Sequence, residues 1–164
     1  MIEAGSTEAD LAALNRLAHD GNLNARIMTK IIAVRSGSTD DTVPAAKDLL
    51  KLASRYEAPG LNTKGAKIWL DGIGDNDSVA LEGIHFDHPW LYGNLSVSPE
   101  KLNKVMVDLD KNGLQTKIHT LGDQAVRVAL DAIEVARETN GMNDLRHHLA
   151  HSPMIGEKDY PRYK

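Results

Sequence analysis

The stretch Leu114-Gln115-Thr116-Lys117-Ile118-His119-Thr120-Leu121-Gly122-Asp123-Gln124-Ala125-Val126 changes its period partway along. Leu114 to His119 predicts a short strand. Beyond the turn, Val126, Ala129, Leu130, Ile133 and Ala136 recur three and four residues apart, the stripe of a helix packed on one face. Asp123 is placed to cap that helix and Asn140-Gly141 to break it. A strand running directly into a helix of this length is the repeating unit of a parallel α/β fold.

The same unit recurs on either side. Upstream, residues 7 to 19 carry Leu11, Leu14, Leu17 and Ala18 on one face and predict a helix, ended by Asp20-Gly21-Asn22. Residues 26 to 34 are rich in Ile and Val and predict a strand. A second helix is predicted over 44 to 56, with Pro44 in its first turn. The segment Ala66-Lys67-Ile68-Trp69-Leu70 predicts a strand closed by Asp71-Gly72. The Gly-rich stretch 71 to 97 reads as one long loop, the kind that is usually functional when it interrupts a compact domain. Ser98-Pro99-Glu100 opens a third helix with a cap, a first-turn proline and an acid suited to the helix dipole. Leu145 to Leu149 predicts the last strand. Four parallel strands alternating with helices therefore follow an initial helix, in one domain over 1–164. They fit a small open sheet or half of an eight-stranded barrel of about 250 residues, and periodicity does not choose between them.

Composition narrows the chemistry. The 164 residues include 41% hydrophobic and 26% charged ones and carry a net charge of -4. That balance leaves no basic footprint for nucleic acid. No apolar run approaches the roughly 20 residues of a membrane span. The opening Met1-Ile2-Glu3-Ala4-Gly5-Ser6 has neither a basic nor an apolar region, so a cytoplasmic setting is expected. Cysteine is absent and seven histidines are present. A metal would have to sit on His, Asp, Glu or Lys.

In parallel α/β folds, function gathers where strands end. Lys67 lies in the strand before Asp71-Gly72, His119 ends its strand, and His147, His148 and His151 lie in or just after the final one. Neutral imidazole is a good ligand for zinc. An ammonium is not, but burial lowers a lysine's pKa, and a free amine reacts with carbon dioxide to give an anionic carbamate. Each residue also has a plainer reading. His119 and His151 read equally well as hydrogen-bonded structural residues. Lys67 reads as a surface lysine with its stem laid over apolar neighbours. Asp71 reads as a turn residue, Asp123 as a cap, Trp69 as core, and His85 and His88 as solvated loop residues.

The segment Lys117-Ile118-His119-Thr120-Leu121-Gly122-Asp123-Gln124-Ala125-Val126 resembles the His-x-x-Gly-Asp-x-Ala-Val segment of amidohydrolase family 3, a group of metal-dependent TIM-barrel hydrolases. Arg146-His147-His148-Leu149-Ala150-His151 is similar to that family's Arg-His-x-x-x-His strand. Ala66 to Gly72 is similar to its Val-Lys-x-x-x-Asp-Gly strand, and Asp159-Tyr160-Pro161-Arg162 to the segment after the sixth strand. The resemblance implies a partial (β/α)8 barrel covering roughly strands three to six. It implies that Lys67, His119 and His151 are metal ligands, with Lys67 a candidate for carbamylation. Asp71, Asp123 and His147 would support the ligands or face the substrate. It implies hydrolysis of amide or other non-peptide C–N bonds of a small molecule by a metal-activated water.

The sequence departs from the family in the loop Ile73-Gly74-Asp75-Asn76-Asp77-Ser78-Val79 and at Ala150, where many relatives carry Glu. It contains neither the first-strand His-x-His nor the last-strand Asp that serves as general base. The expectation is a truncated chain that holds one ion, most simply zinc, and is weakly active or inactive. Its open sheet edges would favour a homo-oligomer. The alternative from another class is a non-catalytic binding or assembly module on an inherited barrel scaffold.

Overall fold

The computed structural model describes residues 1–35, 38, 42–73, 78–83 and 93–163. His85, His88 and much of the stretch 71 to 97 lie outside them. The described elements are β1 (Ile2–Ser6), α1 (Glu8–His19), β2 (Ile27–Val34), α2 (Ala46–Arg55), β3 (Leu61–Asn62), β4 (Gly65–Trp69), α3 (Pro99–Lys111), β5 (Gln115–Thr120), α4 (Asp123–Asn140) and β6 (His148–His151). A 3-10 turn at Tyr160–Arg162 follows.

The strands form one sheet in the order β1-β2-β4-β5-β6, with β3 beside the start of β2, and each neighbouring pair is parallel. The order follows the chain without reversal, so the sheet has no switch point of the doubly wound kind. One buried cluster joins Leu11 of α1, Leu49 and Ala53 of α2, Leu102 and Met106 of α3 and Ala125, Ala129 and Ile133 of α4. The same cluster includes Ile31, Ala66, Ile68 and Ile118 of the strands and Leu70 just after β4. All four helices thus pack on one face of the sheet. Helices on one side of a sequentially wound parallel sheet make part of a (β/α)8 barrel, and the alternation left open by periodicity is settled in favour of the half-barrel.

Alternation along the strands leaves Gly65, Lys67 and Trp69 of β4 on the opposite, inner face. Cross-strand register sets Ile32, Lys67, Lys117 and His148 in one row across that face. Beneath this row the Lys30 amine is fully buried and donates to Gln115 Oε1 at 2.6 Å and to the Gln115 carbonyl at 3.2 Å. A side chain at Gly65 would occupy the space of that lysine.

Several boundaries differ from expectation, each for a tertiary reason. Strand β1 was not expected, because Ile2-Glu3-Ala4-Gly5-Ser6 lacks a strand signal of its own; it is held by its register with β2. Pro44 lies before α2 and not in its first turn. The Ala45 cap offers no side chain, and Asp108 of α3 supplies the missing acceptor to the Ala46 N–H at 2.7 Å. The cap of α4 is Gly122, so Asp123 is the first helical residue. The last strand begins at His148, because Arg146 takes a positive φ of 52°.

Gly122 is required by a close approach. A Cβ there would lie 1.8 Å from the Ala80 carbonyl oxygen and 2.9 Å from Val79 Cγ1. Gly122→Ala should therefore push two backbone segments apart and destabilise the chain by about 1–3 kcal/mol. The readout is the urea midpoint. An unchanged midpoint would show that the loop gives way freely.

Candidate metal centre

The C-terminal ends of β4, β5 and β6 meet at one rim. His119 pairs in register with Trp69 on one side and Ala150 on the other, and His151 lies beside Thr120. The His119 ring is buried, and its Nε2 lies 2.9 Å from the Gly72 carbonyl oxygen. A carbonyl can only accept, so Nε2 is the donor, and in the neutral ring Nδ1 is the nitrogen with the lone pair. Fixing the tautomer in this way is how a backbone carbonyl prepares an imidazole for a metal.

The His151 ring stands edge-on to that of His119, with centroids 4.7 Å apart and planes at 65°. Its backbone is in the left-handed region, with φ of 77° at His151 and 41° at Ser152. Such geometry is costly for non-glycine residues and persists only when neighbours enforce it. Here the Ser152 N–H donates to the Thr120 carbonyl at 2.8 Å, and the two hydroxyls bond at 2.9 Å. Burial and the nearby His119, Lys67 and Lys117 lower the His151 pKa, which favours the neutral, ligating form.

Lys67 is only 2% exposed, so it is an interior residue and not a surface lysine. Burial, with the charge of Lys117 adding to it, lowers its pKa to about 8. Its Nζ sits 5.2 Å from the centre of the Trp69 ring and makes no hydrogen bond among the described residues. An amine of this kind is partly unprotonated near neutral pH.

Asp71 organises the rim. It is buried, and its carboxylate accepts from the N–H groups of Leu121 at 3.0 Å, Gly122 at 2.8 Å and Ala80 at 3.3 Å. It lies 3.8 Å from His119 Nε2. Asp123 accepts from the Gln124 and Glu82 N–H groups, each at 2.9 Å, and so holds the loop after β4 and not a ligand.

His147 stands apart, at the N-terminal end of β5. The Thr116 N–H donates to its Nδ1 at 3.1 Å, and Nε2 donates to Asp110 Oδ1 at 3.0 Å. It ties the start of β6 to β5 and α3, away from the rim with His119 and His151.

A cavity of about 460 Å³ opens at the His119 rim, lined by Ile32, Arg35, Trp69, Asp71, Ile73 and His119 among others. A larger hollow of about 800 Å³ lies at the opposite rim, beside Met28, Gln115 and Arg146, and holds none of the rim residues. Chemistry and not size marks the first as the candidate site. No group of three His, Asp or Glu is close enough to hold a metal among the described residues. His119 and His151 are the two imidazoles in ring contact at this rim, with Lys67 on the neighbouring strand.

A family model for the amidohydrolase family matches residues 2–164. The chain belongs to the amidohydrolase family. This amidohydrolase chain is 37% identical over 100 residues to Protein LONG AFTER FAR-RED 3 of Arabidopsis thaliana, covering 60% of this chain and 17% of that protein. It is 24% identical over 144 residues to the Exoenzymes regulatory protein AepA of Pectobacterium carotovorum subsp. carotovorum, covering 85% and 29%. Its fold matches uncharacterized metal-dependent hydrolases from Pyrococcus furiosus and Pyrococcus horikoshii OT3, each with a TM-score of 0.73 over 99% of this chain. Identity is 22% and 23%, and coverage of those chains is 31% and 30%. The chain spans less than a third of the length of these relatives.

Sequence reading missed the residues that brace the rim from behind. Arg127, Asp131 and Glu134 of α4 bond to residues after β4 and β6. Their signal is a polar stripe with Asp123, at spacings of four, four and three on the face opposite the apolar one.

His147 gives the chain a pH dependence. Burial lowers its pKa from the ordinary 6.5 despite the Asp110 carboxylate, with Arg137 and Lys30 adding to the shift. Below about pH 6.5 the unfolded chain binds more protons at this ring than the folded one, so stability falls with pH. Above that pH the contribution is fully present. Urea midpoints should drop between about pH 7.5 and pH 5.5, and less steeply in His147→Gln. Equal slopes in the two proteins would assign the effect to other groups.

Proposed function

We propose that this chain carries one side of a mononuclear metal centre in a hydrolase of amide or other non-peptide C–N bonds. Lys67, His119 and His151 are its ligands, and zinc is the ion. The observation that carries the reading is the His119–His151 contact at the C-terminal rim, with Nε2–H of His119 spent on Gly72 and Nδ1 left for a metal. Two imidazoles and a third donor leave a position open, the arrangement of catalytic zinc sites. The bound ion would polarise the scissile carbonyl and lower the pKa of a water.

The chain's own residues do the rest. Gly72 fixes the His119 tautomer, Asp71 holds the turn after β5, and Thr120 with Ser152 sets the His151 backbone. With its pKa lowered to about 8 the Lys67 amine is unprotonated often enough to add carbon dioxide and release a proton, which would give a carbamate oxygen as third ligand. No carboxylate among those described at this rim is free to act as a base, since Asp71 is saturated by backbone N–H groups. Turnover by this chain is therefore expected to be low.

A second reading, a non-catalytic binding or assembly module, is favoured by the lack of a third His, Asp or Glu at the pair among the described residues. Cobalt titration separates the two. The hydrolase reading expects one equivalent bound, with affinity lowered about 100-fold in His119→Ala. No binding, or binding indifferent to the substitution, favours the module. Robust zinc-dependent amide turnover, lost in His119→Ala, would overturn the expectation of low activity.

Strands β1 and β6 end the sheet, each with one side unpaired among the described strands. Free edges invite pairing with another copy of the chain. We propose a homo-oligomer formed through them. Sedimentation should show a species heavier than 17.9 kDa, and a stable monomer at high concentration would refute it.

A further inference from the structure

Two stretches of chain flank the His119–His151 pair. One follows β4 and returns to it: the Gly72 N–H donates to the Ser78 carbonyl at 3.0 Å, and the Ala80 N–H to Asp71. This stretch supplies the carbonyl that holds His119. The other follows β6, from Ser152 to Asp159, and continues directly from His151.

Neither stretch carries a helix or strand among its described residues, yet both are tied to the same helix at one residue. Arg127 Nε and Nη2 donate to Asp159 Oδ2 at 3.1 and 3.0 Å, a two-pronged contact. The third prong, Nη1, donates to Glu82 Oε1. One turn earlier on the helix, Asp123 takes the Glu82 N–H at 2.9 Å.

The arrangement is built and not incidental. Asp159 is only 2% exposed, and a second guanidinium, Arg162, reaches its other oxygen at 3.0 Å. Burial pushes the Asp159 pKa up, but the hydrogen bonds from Arg127 and Arg162 outweigh it and hold the carboxyl below its ordinary value. A Cβ on Gly156 would come within 3.0 Å of Arg127 Nη2, so the chain passes close against the guanidinium. Exposed ion pairs contribute little singly. A planar fork shared between a buried carboxylate and a second loop fixes geometry as well as charge.

We infer that Arg127 is a positioning residue that couples the stretch holding His119 to the stretch that follows His151, with Glu82 and Asp159 as its two arms. Its effect on the ion rests on the metal-centre reading; the coupling itself does not.

The test measures amide hydrogen exchange on the metal-free chain and cobalt affinity on the same proteins. In Arg127→Gln, exchange should quicken about tenfold in both 78–83 and 152–159, while amides of α1 and α2 keep their rates. Cobalt should bind about tenfold more weakly. Glu82→Gln removes the charge from a half-exposed side chain and so is expected to leave the fold intact. It should quicken exchange in 152–159 about threefold, although no hydrogen bond or ion pair among the described residues joins Glu82 to that stretch.

Loosening of one stretch alone, or equal quickening in α1 and α2, would overturn the coupling. An unmoved 152–159 in Glu82→Gln would do the same. Cobalt binding equal in Arg127→Gln and the unaltered chain would overturn the positioning role. If the unaltered chain holds no cobalt while the exchange results stand, the metal reading fails and the coupling survives.

Discussion

The Asp71 carboxylate takes N–H groups from three residues on two segments, Leu121 and Gly122 after β5 and Ala80 after β4. Charge-assisted bonds to backbone amides are among the stronger ones a side chain makes, and inside the protein they are not diluted by water. Asp71 lies next to Gly72, whose carbonyl holds His119, so the same bonds that close the turn also set the imidazole. Losing the carboxylate would leave three amides without this acceptor and loosen the carbonyl that holds His119. Gly122 completes this arrangement, since any side chain there would strike the Ala80 carbonyl.

The division of labour between the two faces of the sheet follows from its one-sided layering. The outer face and the helices form an apolar core that needs no help. The inner face carries Lys30, Lys67, Lys117, His119 and His148 instead of a second core. Cations crowded on one concave surface weaken each other's hold on protons, and the lowered pKa values of Lys30, Lys67, His148 and His151 all have burial as their first cause and neighbouring cations as a further one. The surface therefore favours neutral nitrogen, the form that binds metals and reacts with carbon dioxide.

Much of this was legible from the amino acids. Each helix stripe and the strands around Ile31, Ile68 and Ile118 follow from local periodicity, which also sets His119 and His151 near the ends of their strands. What escaped depends on partners distant in the chain. Strand β1 exists only because β2 offers an edge. Asp108 caps a helix that begins 62 residues before it. His147 sits in the same motif as His151 but is claimed by Asp110 and Thr116, and no local pattern separates the two. The burial of Lys67 was hidden for a similar reason, since alternation names the face but not which face is closed.

Lys30 and Lys67 give the inner face a selectivity that basicity does not supply. Both amines are buried, and burial lowers the pKa of each to about 8. Lys30 has its hydrogens directed at two oxygens of Gln115, whereas Lys67 lies over the π-face of Trp69 and makes no hydrogen bond among the described residues. An electrophile entering this concave surface meets one nitrogen that must break bonds before it can attack and another that need not. Two lysines alike in burial and in basicity thus differ in how they are held, and the difference lies in one glutamine.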